Sequence, residues 1–274
     1  MLHIDQLGQK LNLEFPPQRI ISLVPSQTEF LYDIGLGEKV VGITKFCIHP
    51  KAWFKEKKRI GGTKNVDFAA IEALQPDLII ANKEENTKSE IERLSQKYPV
   101  WISDIYNLDD ALEMMRKIGD FWADETSTKT TYRHTAYAIA ANIESDFLAY
   151  AAARATKKPH EAAQKVAYFI WREPYMVAAR ETFIDDMLAR AGFVNAFGEL
   201  SRYPIISAEV LAKADLDLIL LSSEPYPFGA KHVAEFAALC PNTKIEIVDG
   251  EFFSWYGSRL RYAPAYFERL LNKK

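Results

Sequence analysis

With 274 residues, 48% apolar and 26% charged, the chain has room for two modest domains and the balance of an ordinary globular protein rather than a disordered or membrane one. A formal net charge of −3 argues against a general binder of nucleic acid or of anionic membranes, since such proteins carry a basic face. Two cysteines, Cys47 and Cys240, make neither a disulfide framework nor a CxxC pair, and a bridge between them would need two lobes to bring them together.

His3, Asp5, Gln6, Lys10, Asn12 and Glu14 interrupt any apolar stretch of signal-peptide length at the start, and no later run is long enough to span a bilayer. As encoded, the protein is expected to stay where it is made. If Met1 is not the native start, a removed signal is equally compatible.

After Pro16-Pro17, residues 19–24 read as a buried strand ending at Pro25. Ser26 is placed to cap the following helix, with Glu29 three residues on completing a capping box. That helix closes near Gly35 or Gly37, and 39–43 make a second strand. Residues 44–66 are irregular, rich in aromatics, basic residues and glycine. Helix 67–74, strand 77–81, helix 87–96 and strand 99–102 complete a first lobe, and strands alternating with helices imply a mainly parallel sheet.

Residues 120–158 hold no glycine or proline. Within them Ala136, Ile139, Ile143, Phe147 and Tyr150 form one apolar helical stripe. Asn107 can cap the start, Pro159 lies past the end, and Gly119 and positions 126–131 are places for a bend or break. One helix over 108–156 would span roughly 70 Å, more than a single lobe, so it runs across both lobes or kinks. Such a connector restricts hinge motion. The second lobe follows as strand 166–170, helices 181–191 and 208–214, strand 217–221, helix 230–239, strand 244–248 and helix 263–272.

The chain says nearly the same thing twice. Ile71 to Ile80 and Leu211 to Leu220 each place a short amphipathic helix before an aliphatic triplet introduced by an aspartate, Asp77 or Asp217. The expected fold is therefore α/β, with two lobes of mainly parallel sheet joined by a long backbone helix. The boundaries fall at 1–106, 107–158 and 159–274, with a ligand cleft between the lobes.

Ligands of open parallel sheets bind outside the carboxyl ends of the strands. The loops there hold Ser26 and Gln27; Phe46, Cys47, His49 and Trp53; Asn82 to Asn86; Trp171 and Arg172; Ser222 to Tyr226; and Trp255 and Arg259. Three of the five tryptophans thus sit at one predicted edge, where aromatic faces suit a large, flat, partly polar ligand unless they merely plug the interface between lobes. Arg180, Arg202 and Arg259 can meet carboxylate, phosphate or amide oxygens, or form ion pairs. Cys47 and His49 are too few for a metal site of the protein's own, which needs three or four ligands. A single contact from His49 to a metal inside a bound cofactor stays open, as does a histidine bonded to backbone. No GxSxG, HExxH, P-loop or GxGxxG is present, so no catalytic residue is assigned.

The run Arg19-Ile20-Ile21-Ser22-Leu23-Val24-Pro25-Ser26-Gln27-Thr28-Glu29 resembles the opening of the class III substrate-binding proteins of ABC importers, the vitamin B12 and iron-siderophore receptors. Leu74-Gln75-Pro76-Asp77-Leu78-Ile79-Ile80 is similar to that family's helix-to-strand signature. Tyr203-Pro204 and Ser207-Ala208-Glu209 resemble the matching region of the second lobe. The resemblance covers about residues 5 to 271 and is nearest to the B12-binding branch. It implies a non-catalytic, monomeric, periplasmic receptor that closes on a cobalt corrinoid and docks on an ABC permease, with no intrinsic cofactor and no nucleic-acid partner. Ser26, Gln27, Phe46, His49, Trp53, Trp171, Arg172, Arg180, Arg202, Tyr203, Trp255 and Arg259 are the expected ligand contacts.

Docking in that family uses one glutamate per lobe. Glu209 matches the second; the first falls at Ala69, with Glu72 one turn away as a substitute. A cytoplasmic corrinoid carrier would account for this departure and for the missing signal. Iron-siderophore or haem capture, a corrinoid-modifying enzyme using Cys47 or His49, and an interaction protein with a vestigial cleft are the rival readings.

Overall fold

The computed structural model describes residues 2–123, 132–157 and 163–272. It divides into two compact units: Met1–Ile105 with Asp109–Glu144 and Tyr256–Arg259, and Tyr106–Leu108 with Ser145–Trp255 and Leu260–Lys274. The units interleave along the chain.

The first unit opens with an antiparallel pair, β1 (Leu2–Ile4) and β2 (Lys10–Asn12). Its elements then run β3 (Ile20–Ser22), α1 (Pro25–Asp33), β4 (Val40–Ile43), α2 (Lys51–Glu56), β5 (Lys58–Arg59), α3 (Phe68–Leu74), β6 (Leu78–Asn82), α4 (Lys88–Ser95) and β7 (Val100–Ser103). The strands form one parallel sheet in the order β5-β4-β3-β6-β7. Every residue of β3, β6 and β7 is buried, as expected of a sheet covered on both faces.

Helix α5 (Leu108–Gly119) ends in a 3-10 turn over Asp120–Trp122, so 108–156 is not one continuous helix. A Cβ on Gly119 would lie 2.7 Å from that of Ala136, so glycine is what allows α5 to approach the start of α6 (Tyr132–Lys157). The expected weak point at 126–131 and Pro159 lie outside the described residues. Along α6 the stripe Ala136, Ile143, Phe147 and Tyr150 is buried as expected, with Ala140 in the place expected of Ile139. The helix spans 26 residues, about 39 Å, starting in the first unit and ending in the second.

The second unit continues β8 (Lys165–Trp171), β9 (Met176–Val177), α7 (Phe183–Ala191), β10 (Val194–Asn195), α8 (Ala208–Lys213), β11 (Leu218–Ser222), α9 (Ala230–Leu239), β12 (Lys244–Val248), α10 (Glu251–Ser254) and α11 (Ala263–Leu271). Strands β10-β8-β11-β12 are parallel, and β9 folds back antiparallel on β8. Its core includes Phe169, Ile219, Leu221 and Phe236.

The repeated motif has the same role in each unit. The Arg19 backbone N–H donates to Asp77 Oδ1 at 2.8 Å and the Asp77 N–H returns a bond to Arg19 O. Lys165 N–H donates to Asp217 Oδ2 at 2.7 Å and Asp217 N–H returns one to Lys165 O. Each aspartate thus aligns the start of its own strand with that of the neighbour. Both cysteines are free and buried. Among the described residues no helix is long and apolar enough to cross a membrane.

Candidate ligand-binding loops

In the first unit four strands of the parallel sheet deliver a polar residue at the carboxyl end: Ser22 from β3, Thr44 just past β4, Asn82 from β6 and Ser103 from β7. Their side chains are buried; those of Ser22, Asn82 and Ser103 are bonded to one another or to α1, and that of Thr44 to Cys47. Thr28 Oγ1 donates to Ser22 Oγ at 2.8 Å and lies 3.1 Å from Cys47 Sγ, which Thr44 Oγ1 also meets at 3.1 Å. Gln27 Nε2 donates to Ser103 Oγ at 2.6 Å, and Asn82 Nδ2 to the same oxygen at 2.9 Å. Burial pushes the Cys47 thiol up, so it stays protonated and unreactive.

Ser26 does not cap α1 as expected. Pro25 takes the first helical position, Val24 is the N-cap without a side-chain bond, and Ser26 falls inside the first turn. The Ser26 hydroxyl and the Gln27 amide oxygen are buried with no bonding partner among the described residues. Nor does Glu29 close a capping box: its carboxylate takes two bonds from Arg259, Nε–Oε2 at 2.8 Å and Nη2–Oε1 at 2.7 Å. Arg259 is therefore committed to an ion pair. Phe46 is half exposed with Lys45 Nζ 5.1 Å from its ring, and His49 is half-buried. Trp53 is only 3% exposed, packed edge-on to Tyr32 and anchoring α2, a helix in the stretch expected to be irregular.

In the second unit Trp171 ends β8 with 41% of its surface exposed, its ring 5.5 Å from that of Tyr226. Gly229 N–H donates to His232 Nδ1, so the proton of the neutral ring sits on Nε2, 3.1 Å from the Tyr226 hydroxyl. That chain of bonds fixes the Tyr226 ring, which meets Trp171 edge-on. Arg172 donates to Glu235 at 2.7 Å and pairs with Glu173 at 2.8 Å, while the Tyr175 hydroxyl also donates to Glu235. The Arg172 guanidinium is thus taken up by Glu173 in the same loop and Glu235 of α9.

Arg202 and Glu181 both adopt left-handed backbone, φ 63° and 65°, where paired loops join through Arg202 N–H to Arg180 O at 2.7 Å. Non-glycine residues held there store strain of a kind that concentrates at functional sites. The Arg202 guanidinium lies 5.6 Å from the Tyr106 ring and 5.5 Å from that of Tyr203 and donates to Glu181 O. Arg180 is exposed, 3.9 Å from Glu181.

Trp255 is 6% exposed, its indole N–H donating to Glu224 Oε1 at 2.8 Å beside Ser254 Oγ. Burial raises the Glu224 pKa against these two bonds. A Cβ on Gly250 would lie 2.7 Å from Glu224 Cγ, so only glycine lets that loop cover the carboxylate.

Tyr106, Tyr226, Glu224 and Glu235 organise these loops and were absent from the expected contacts. A glutamate after an aliphatic run, as in Ser222-Ser223-Glu224, is a sequence signal that could have marked one of them. Glu209 is exposed in the first turn of α8, and Glu72 pairs with Lys97 at 3.0 Å. Among the described residues no group of three or more histidine, cysteine or carboxylate side chains gathers to hold a metal.

The profile of the periplasmic binding protein family matches residues 20–239. The vitamin B12-binding protein of Vibrio campbellii is 26% identical over 211 residues, covering 76% of this chain and 71% of that one. That of Pectobacterium carotovorum is 24% identical over 250 residues, covering 90% and 86%. Among solved structures, the periplasmic vitamin B12-binding protein BtuF of Vibrio cholerae aligns over 94% of this chain and 100% of that one, with TM-score 0.74 and 20% identity. A periplasmic heme-binding protein from Pseudomonas aeruginosa aligns over 94% of each chain, with TM-score 0.79 and 22% identity. These two likenesses show the shared fold.

Proposed function

The chain belongs to the periplasmic binding protein family, and we propose that it captures a corrinoid of the vitamin B12 class and hands it to an ABC permease. The observation that carries this reading is the exposed indole of Trp171, braced by Tyr226 at the carboxyl end of β8. A flat macrocycle stacks on such a surface. The similarity to vitamin B12-binding proteins along most of the chain supports the corrinoid over other flat ligands.

Trp171, Phe46 and Tyr203 offer the aromatic contacts, since Trp53 and Trp255 are spent on packing. Arg180 and Arg202 meet the polar periphery. Nothing in this role requires a reaction, and none of the family's relatives above is named for one. Glu209, with Glu72 as the partner glutamate, faces the permease, and the protein acts as a monomer on the outer side of the cytoplasmic membrane.

Trp171→Ala combined with Tyr203→Ala tests the placement. Cyanocobalamin quenching of the remaining tryptophan fluorescence should weaken by about a hundredfold in affinity, as for the loss of two aromatic anchors. Unchanged affinity would remove the ligand from these loops.

A further inference from the structure

Charge is distributed unevenly along this chain. Between positions 45 and 64 lie six lysines and one arginine against a single carboxylate, Glu56, so this stretch carries +6 while the remainder carries −9. Among the described residues none of the seven is ion-paired to a carboxylate. Three donate to backbone carbonyls: Lys57 to Gly37, Arg59 to Lys57 and Lys64 to Glu84. The others keep their charge in solvent. The buried Trp53 fixes the orientation of α2, which leaves Lys51 and Lys55, one turn apart, exposed together with Phe54. Lys58 is exposed on β5, the edge strand of the sheet. Phe54 is 36% exposed with the Arg59 guanidinium 4.3 Å from its ring, and Ile48 is 45% exposed in the preceding loop.

We infer that this ridge, Lys51, Phe54, Lys55 and Lys58 with Ile48, binds the surface of a bilayer containing anionic phospholipid. Clustered cations with interleaved aromatic and aliphatic side chains match a headgroup layer: lysines to phosphates, Phe54 and Ile48 to the boundary with the acyl chains. The residue types favour this occupant over an acidic protein. Protein interfaces enrich arginine, which forks onto individual carboxylates, and deplete lysine. Here lysine outnumbers arginine six to one. A mobile point charge suits a diffuse field of phosphates. The net charge of −3 does not oppose this, because charges more than a Debye length from the ridge, about 10 Å in ordinary salt, are screened from it. The inference is independent of the ligand, since none of these side chains is among the proposed contacts.

Vesicle flotation of the whole chain tests it. Vesicles of phosphatidylcholine are compared with vesicles containing phosphatidylglycerol, at low and high salt. Binding is expected only with phosphatidylglycerol, weakening as salt rises. The triple variant Lys51→Glu, Lys55→Glu, Lys58→Glu should lower the partition coefficient by at least about tenfold. The milder Lys51→Gln, Lys55→Gln, Lys58→Gln should fall in between, and Phe54→Ala should reduce the salt-resistant part. A control of equal net charge, Lys88→Glu, Lys213→Glu, Lys231→Glu, should bind as the parent does. Absence of vesicle binding would overturn the proposal and leave an acidic protein as the occupant. Equal loss in the control, or parental binding by both ridge variants, would overturn it too.

Discussion

Arg259 and Glu29, 230 residues apart, are joined by two hydrogen bonds of 2.7 and 2.8 Å, and both side chains are largely buried. This pair ties residues 256–259 to helix α1 within the first unit. Burial raises the Glu29 pKa and the Arg259 bonds oppose it. Arg259→Ala strands a carboxylate, and urea unfolding should show a loss of about 3 kcal/mol. Adding Glu29→Gln should recover most of it. A loss under about 0.5 kcal/mol in the single variant would show that the pair is solvated.

Glu224 calls for the opposite treatment. Its folded-state pKa is raised by burial, so the folded protein takes up a proton at higher pH than the unfolded chain does. Its contribution is unfavourable above the folded pKa and improves as pH falls through it towards the ordinary glutamate range, near 4.3. Glu224→Gln, which keeps an oxygen for Trp255 and Ser254, should therefore raise the melting midpoint at pH 7 to 8. The gain should shrink as the pH is lowered. A gain that grows on acidification would reverse the assignment.

The two aspartates of the repeated motif differ in how many bonds they hold. Asp77 accepts from the N–H groups of both Gln18 and Arg19, and Asp217 from that of Lys165. At about 1 kcal/mol per bond, Asp77→Ala should cost about 2 kcal/mol and Asp217→Ala about 1 kcal/mol in denaturant titrations. Equal costs would mean that the second bond adds nothing.

Buried and exposed tryptophans should separate by phenotype. Trp171→Ala should weaken corrinoid binding by about tenfold or more with little loss of stability. Trp53→Phe should leave affinity within about threefold while lowering stability by about 1–2 kcal/mol. Calorimetry and urea unfolding on both variants distinguish the roles, and exchanged phenotypes would place the ligand at Trp53.

Much of the fold is legible because its determinants are local. Asp67, Thr182 and Ser207 sit just before helices and accept N–H bonds from their first turns, as such residue types do at a helix start, and the aliphatic triplets after Asp77 and Asp217 are buried strands. What escapes is decided at long range. Glu29 has the spacing of a capping box, yet its partner lies near the other end of the chain. Trp53, Trp171 and Trp255 are alike as loop aromatics, and only tertiary packing exposes one and buries two. Helix α2 and strand β5 are too short for periodicity to reveal them. Arg172 is paired by Glu235, 63 positions away, at a spacing no motif encodes.

Isothermal titration of the purified protein with cyanocobalamin, with haem as the comparator, bears most directly on the proposed function. Saturable one-to-one binding of cyanocobalamin, tighter than that of haem, is the expected result. No heat of binding with cyanocobalamin under conditions where haem saturates the protein would contradict corrinoid capture.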